Sequence, residues 1–332
     1  MMNYLAEMLK TNDVASLIKS KPVRREKLIF LEEDDNLRTA LIAFSAHGIS
    51  SIPLKGHEKE FLGIIKISNL VKFILSHDAE VDVSILLDFK LKNLPEGFIN
   101  EIEYIEPETS LMHLLLEVWS KSCSLKSPYL DCNHLVTSTE IGKYEVITPL
   151  DFLRHLLLLN QDGSSFLKDT PTIEIENGFD TEESLIVNWY DAARLAMERV
   201  LESGPYYLVA VVNEETGGLE SDLTFTDILP TDSAIVDESI SMLLNNEISL
   251  YSYLSNINSS SARKLSIDPI LLHPHFTLYD LIEKLTRLGI HHLWRVTPTA
   301  IQKPLGAVGV IDILRYLNYM FQPFHTTHNE PK

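Results

Sequence analysis

The chain has 332 residues, 45% hydrophobic and 23% charged, with a formal net charge of −19, a globular composition long enough for about two domains. The excess of acid argues against broad nucleic-acid binding, which needs clustered lysine and arginine. No apolar run approaches the roughly 20 residues of a membrane span, and no basic-then-apolar leader opens the sequence, so a cytoplasmic setting is expected, with the nucleus also open.

In chain order, Val14 to Ile18 reads as a short amphipathic lead-in, and a basic stretch from Lys19 to Arg25 follows. Asp34 or Asp35 is expected to cap a helix carrying Leu37, Ala40, Leu41 and Phe44 at helical spacing, with Gly48 ending it. Two strands should follow, joined across Gly56 to Lys59. A second block predicts a helix near Ser110 to Lys121, strands near His134 to Thr137 and Tyr144 to Thr148, and a helix opened by Pro149. Turn formers over 160–165 and 168–171 mark a boundary. Next come a helix over 190–203, a strand over 206–212, a hairpin turn over 214–218 and a return strand to Thr224. Residues 255–266 are the most loop-like segment, and Ser266, after Arg263 and Lys264, sits in a basic context that protein kinases favour. An unmodified linker is the alternative. The last block runs from His275 through a helix ended by Gly289, two apolar strands, and a helix carrying Asp312, with a frayed tail beyond Gln322.

These blocks are four copies of one unit: helix, strand, turn, strand, then a helix whose first turn carries a polar residue. The anchors Asn69, Asp151, Asp227 and Asp312 lie 82, 76 and 85 residues apart. One unit cannot bury both faces of its layer and should pair with a neighbour. Leu37, Leu41, Phe44, Ile52, Leu62, Ile64, Leu281, Leu285, Leu288, Leu293 and Val308 are the expected core of repeats one and four.

The unit, with its Gly63-Ile-Ile strand leading to Asn69 and the corresponding strand leading to Asp312, resembles the cystathionine-beta-synthase (CBS) motif. Four copies in one chain resemble the gamma regulatory subunit of AMP-activated protein kinase. The resemblance implies an α+β fold in which four CBS motifs form two Bateman modules in a pseudo-symmetric disk: residues 1–160 as module one, 161–180 as linker, 181–322 as module two and 323–332 as a flexible tail. It also implies that adenine nucleotides bind in clefts between paired motifs, a carboxylate holding the ribose and a hydroxyl three residues earlier meeting phosphate. Asp151, Asp227 and Asp312 match the ribose position, Thr148 and Thr224 the hydroxyl, and His291 and His292 a phosphate-facing pair. Repeat one is degenerate, with Lys66 and Asn69 at those positions, and Gly309 replaces the hydroxyl in repeat four.

The physics of such a site is general. A carboxylate can accept from both ribose hydroxyls, and a helix N-terminus beside it suits phosphate. The same acid in a first helical turn is favoured by the helix dipole with no ligand present. His291 and His292 should point to opposite faces of a strand, and Trp294 should be core. Cys123 and Cys132, and the close pairs His273 with His275 and His325 with His328, lack a metal-site pattern, so no metal is expected. The expected function is that of a non-catalytic regulatory subunit or adaptor, needing no cofactor but binding AMP, ADP or ATP, in a Ser/Thr kinase complex of the AMP-activated type. The alternative is an interaction scaffold with degenerate pockets, for example a regulator of a type-2A protein phosphatase.

Overall fold

The computed structural model describes residues 2–21, 28–58, 60–122, 135–140, 143–160, 166–172, 175, 186–204, 207–227, 229, 233–259 and 269–325. Cys123, Cys132, Ser266, His328 and most of the 161–180 linker lie outside the described residues.

Each repeat is built on an antiparallel strand pair: Ser51–Lys55 with Phe61–Lys66, Leu135–Glu140 with Lys143–Ile147, Leu208–Val212 with Leu219–Thr224, and His292–Val296 with Pro304–Gly309. All four pairs carry a register shift towards the hairpin turn, at Leu54/Lys55, Ser138/Glu140, Val211/Val212 and Arg295/Val296. A shift of this kind is where a bulge would bend a strand, and it falls at the same place in each of the four pairs. Repeats one and three add a short parallel strand, Leu31–Glu32 and Ile186–Asn188, and Leu271 makes the equivalent single bridge to Trp294 in repeat four.

Helix signals in the sequence act much as expected. Asn36, rather than Asp34 or Asp35, caps Leu37–His47, accepting from the Thr39 amide at 2.9 Å, because its oxygen is the one within reach of the third helical N–H. Gly48 and Gly289 end their helices with φ of 59° and 67°, conformations that favour glycine. Thr277 and Asp280 form a reciprocal capping box on Leu278–Leu288.

Nine of the eleven expected core residues are buried, but Leu62 and Leu288 are 45% and 42% exposed. Leu62 lies at the turn end of its strand against Gly56. Leu288 follows a buried stripe of Leu278, Leu281, Ile282, Leu285 and Thr286, whose drift around the helix leaves the last residue before Gly289 at its edge. Other expectations need correction. The repeat-three helix starts at Ala193, not Tyr190. The helix Leu250–Ser259 occupies the start of the segment expected to be loop, since Leu250, Tyr253, Leu254 and Ile257 form a buried stripe at helical spacing. The final helix Val310–His325 runs past Gln322.

The packing has two modes. Sheets of repeats three and four meet around Leu208, Ala210, Trp294 and Ala307, while repeats one and two touch through the edge-to-face pair Phe61–Tyr144 at 5.1 Å. The two large cores cross the other way: one joins helices of repeat one to those of repeat three, and the other joins repeat two and the lead-in helices Met2–Thr11 and Val14–Lys19 to repeat four. Arginines close both crossings. Arg194 of repeat three donates to the carbonyls of Leu75 and His77, at the end of the repeat-one helix Ile67–Leu75, at 2.7 and 2.9 Å. Arg154, on the repeat-two helix Pro149–Leu159, donates to Thr286 O at 3.1 Å. Arg38 pairs with Asp237 between repeats one and three. Among the described residues no helix is long and apolar enough to cross a membrane.

Candidate functional site

The four anchors occupy equivalent places but differ in how much of their hydrogen-bonding capacity the chain consumes. In repeat one, the Asn69 amide donates to Phe98 O and Asn100 Oδ1, both at 2.8 Å, and so fastens the edge strand Ile99–Asn100. Lys66, at the N-cap position of Ile67–Leu75, is 5% exposed and supplies no cap.

In repeat two, Asp151 and Thr148 form a capping box on Pro149–Leu159: Asp151 Oδ2 accepts from Thr148 N at 3.1 Å and Thr148 Oγ1 at 2.9 Å. The same oxygen lies 3.3 Å from Lys21 Nζ, and Oδ1 accepts from Arg154 at 3.4 Å. In repeat four, Asp312 is 3% exposed, accepts from Gly309 N at 2.8 Å and lies 3.8 Å from Arg315. Gly309 is required there, because a Cβ would sit 2.5 Å from the His291 carbonyl oxygen.

Repeat three departs from the expected pattern. Among the described residues no helix begins at Asp227; the chain turns over 225–227, and the next α-helix described is Val236–Leu244, led in by a 3-10 turn at Ser233–Ile235. Asp227 Oδ2 accepts from Thr224 N at 2.8 Å and Thr224 Oγ1 at 2.6 Å, and that hydroxyl also meets Thr226 Oγ1 at 2.8 Å. Among the described residues Oδ1 takes no hydrogen bond, and burial pushes the Asp227 carboxyl above its ordinary pKa. Beside this turn Tyr207 holds a left-handed φ of 49° and its ring packs on Phe225 at 5.1 Å, a conformation costing about 1–3 kcal/mol.

Asp222 lies in the strand leading to this turn. Burial raises its pKa, but donation from His292 Nε2 at 2.9 Å and Trp294 Nε1 at 3.1 Å outweighs that and holds it below the usual range. An ionised carboxylate only accepts, so His292 carries its proton on Nε2. His292 thus links repeat four to repeat three, whereas His291, on the opposite face, is exposed. Trp294 is fully buried, as expected. Asp222, Thr224, Asp227 and His292 therefore form one polar cluster where the two sheets meet. Sequence reasoning named three of these and missed Asp222, which alternates with Glu220 and Thr224 on the polar side of its strand and so gave no signal.

A separate open groove of about 260 Å³ lies at the hairpin tips, lined by Asn213, Thr216, Leu219, Glu220, Ile301 and Gln302 among others, and holds none of the anchors. No group of three or more potential metal ligands occurs among the described residues.

Residues 19–76 match the CBS domain family model. No curated protein matches the sequence. Among solved structures, the chain is similar to protein MJ1225 of Methanocaldococcus jannaschii, described as a candidate archaeal homolog of g-AMPK, at 15% identity over 92% of this chain and 100% of that one, with a TM-score of 0.63. An uncharacterized conserved protein of Pyrococcus horikoshii matches at 17% identity over 81% and 91%, TM-score 0.47. The CBS domain of a bacterial CNNM/CorC family Mg2+ transporter in complex with ATP matches at 15% over 47% and 94%, TM-score 0.35. Residues 19–76 thus hold a CBS domain, and the chain, whose strand pair with its register shift recurs three more times, has an α+β fold similar to that of the M. jannaschii protein.

Proposed function

We propose that this protein is a non-catalytic regulatory subunit that binds an adenine nucleotide at the repeat-three cluster, between the sheets of repeats three and four. The observation that supports this is Asp227: a carboxylate raised in pKa by burial, held on one oxygen by Thr224 and, among the described residues, with no hydrogen bond to the other. An incompletely satisfied acid at the meeting of two sheets is suited to the paired hydroxyls of a ribose. The hydroxyls of Thr224 and Thr226, on turning from their present partners, are the local groups able to meet a phosphate, His292 Nε2 already donating to Asp222. With Asp222 beside them, the field favours the ligand of lower charge, so AMP should bind more tightly than ATP.

The M. jannaschii likeness supports the partner in the same proposal: a Ser/Thr kinase complex of the AMP-activated type, whose state the ligand biases by binding its two forms unequally. The internal engagement of Asn69 and Asp151 favours a second reading, a scaffold acting on an enzyme such as a type-2A phosphatase without a ligand.

Calorimetric titration of AMP and ATP into wild type, Asp227→Ala and Asp312→Ala tests the first reading. Hydrogen bonds to a charged group are worth about 1.5–3 kcal/mol each, so Asp227→Ala should weaken AMP by tens-fold or more while Asp312→Ala changes it little. No heat in wild type leaves the scaffold.

A further inference from the structure

The lead-in that precedes repeat one is part of repeat two. Val14, Leu17 and Ile18 are buried in the repeat-two and repeat-four core, and Val14 N and Ala15 N donate to Thr109 O and Pro107 O at 3.0 and 2.9 Å. Ser20 Oγ lies 2.8 Å from His155 Nδ1 on the helix Pro149–Leu159. That clamp delivers the next residue, Lys21, into the anchor site. Its ammonium donates to Val146 O at 2.6 Å and lies 3.3 Å from Asp151 Oδ2 and 3.8 Å from Glu145 Oε2, so three acceptors surround its three N–H groups. The side chain is 14% exposed, as is that of Asp151. With Thr148 and Arg154 also on the carboxylate, neither oxygen of Asp151 is left open.

We propose that Lys21 is a tethered occupant of the repeat-two site: its ammonium holds the place on Asp151 and Val146 O that sugar hydroxyls would take, and so determines that repeat two admits no nucleoside. The inference rests on the nucleotide-binding reading for its ligand class, but it concerns a different cleft from Asp227. The two carboxylates are counterparts, one closed by a lysine from 130 positions upstream and the other, among the described residues, open on one oxygen.

The test is titration of AMP and adenosine into wild type, Lys21→Met, Asp227→Ala, and the double variant Lys21→Met/Asp227→Ala. Methionine keeps most of the stem and removes the ammonium. Removing one partner of a part-buried pair can weaken the fold, so Lys21→Gln, which keeps a donor for Val146 O, is run beside it, and a cooperative thermal transition qualifies each protein. The double variant should bind at least tenfold more tightly than Asp227→Ala, and adding Asp151→Asn should abolish that gain. Equal binding by Asp227→Ala, by the double variant and by Lys21→Gln/Asp227→Ala would overturn the proposal. So would binding that persists in Asp227→Ala and is lost on replacing Lys21, which would make Lys21 a ligand-binding cation. If wild type binds nothing and Lys21→Met binds, the repeat-three reading fails and the lysine proposal stands. If neither binds, both fail.

Discussion

Arg194 is the clearest test of how the halves are held together. Its guanidinium leaves the repeat-three helix Ala193–Glu202, is steadied by Glu198 at 3.1 Å, and donates to the carbonyls of Leu75 and His77 at 2.7 and 2.9 Å. The end of a helix leaves carbonyls without partners and carries the negative end of the dipole. The side chain is 15% exposed, so solvent replaces these bonds poorly. Charge-assisted hydrogen bonds are worth about 1.5–3 kcal/mol each, and the two together set an upper range of about 3–6 kcal/mol. Partial rehydration of the carbonyls on loss of the guanidinium brings the expected cost of Arg194→Met to about 3 kcal/mol. Lysine keeps the charge but loses the fork, so Arg194→Lys should lose about half as much. Urea unfolding gives the magnitude, and hydrogen exchange gives the place: protection should fall first at the end of Ile67–Leu75 and in Ala193–Glu202. A loss below about 0.5 kcal/mol in Arg194→Met, or equal behaviour of the lysine variant and wild type, would refute the reasoning.

Leu285→Ala removes a fully buried side chain from the stripe facing repeat two and should cost about 2–5 kcal/mol, with a urea-measured loss under about 1 kcal/mol ruling out the helix register. Gly309→Ala places a methyl 2.5 Å from the His291 carbonyl oxygen, and chemical denaturation should show a loss of about 1–3 kcal/mol; wild-type stability would mean the strands can part there. The two aspartates of the cluster should respond oppositely to pH. Asp222 is depressed in the fold, so it stabilises above the unfolded carboxylate value of about 4 and loses this as pH falls through its folded pKa. Asp227 is raised, so it penalises the fold at neutral pH and the penalty disappears as pH falls below about 4. Thermal unfolding at pH 7 should therefore rank Asp227→Asn above wild type and Asp222→Asn below it, both differences shrinking in acid; shifts of one sign at pH 7 contradict the assignment.

What was legible in the sequence was local. Gly48 and Gly289 announced helix ends, and the apolar spacing of Leu278 to Leu285 announced a buried stripe, whereas the cap of Thr277 with Asp280 was not read although its spacing was there. These rest on neighbours within a turn or two, where short-range sterics and hydrogen bonding decide. Leu62 and Leu288 failed because hydrophobic periodicity says which face is apolar, and the end of an element depends on what happens to cover it. The candidate site was legible only as a row of repeat anchors. Lys21 could not be paired with Asp151 from spacing, nor His292 with Asp222, since each pair joins distant repeats.

The crossed cores set a condition on how the chain can be made. Arg194 meets Leu75 across 119 positions, Arg154 meets Thr286 across 132, and Asn318 meets Leu115 across 203. Such closures come late, because chain entropy must be lost before distant contacts repay it. A nascent chain emerging at about 5–20 residues per second would hold the helices of repeats one and two, apolar faces uncovered, until repeats three and four emerged. Phe44, Leu70 and Leu153 would be bare during that interval. The lead-in helices, buried early against repeat two, shorten the exposure for one core only, and the repeat-one face is where a chaperone would be needed during synthesis.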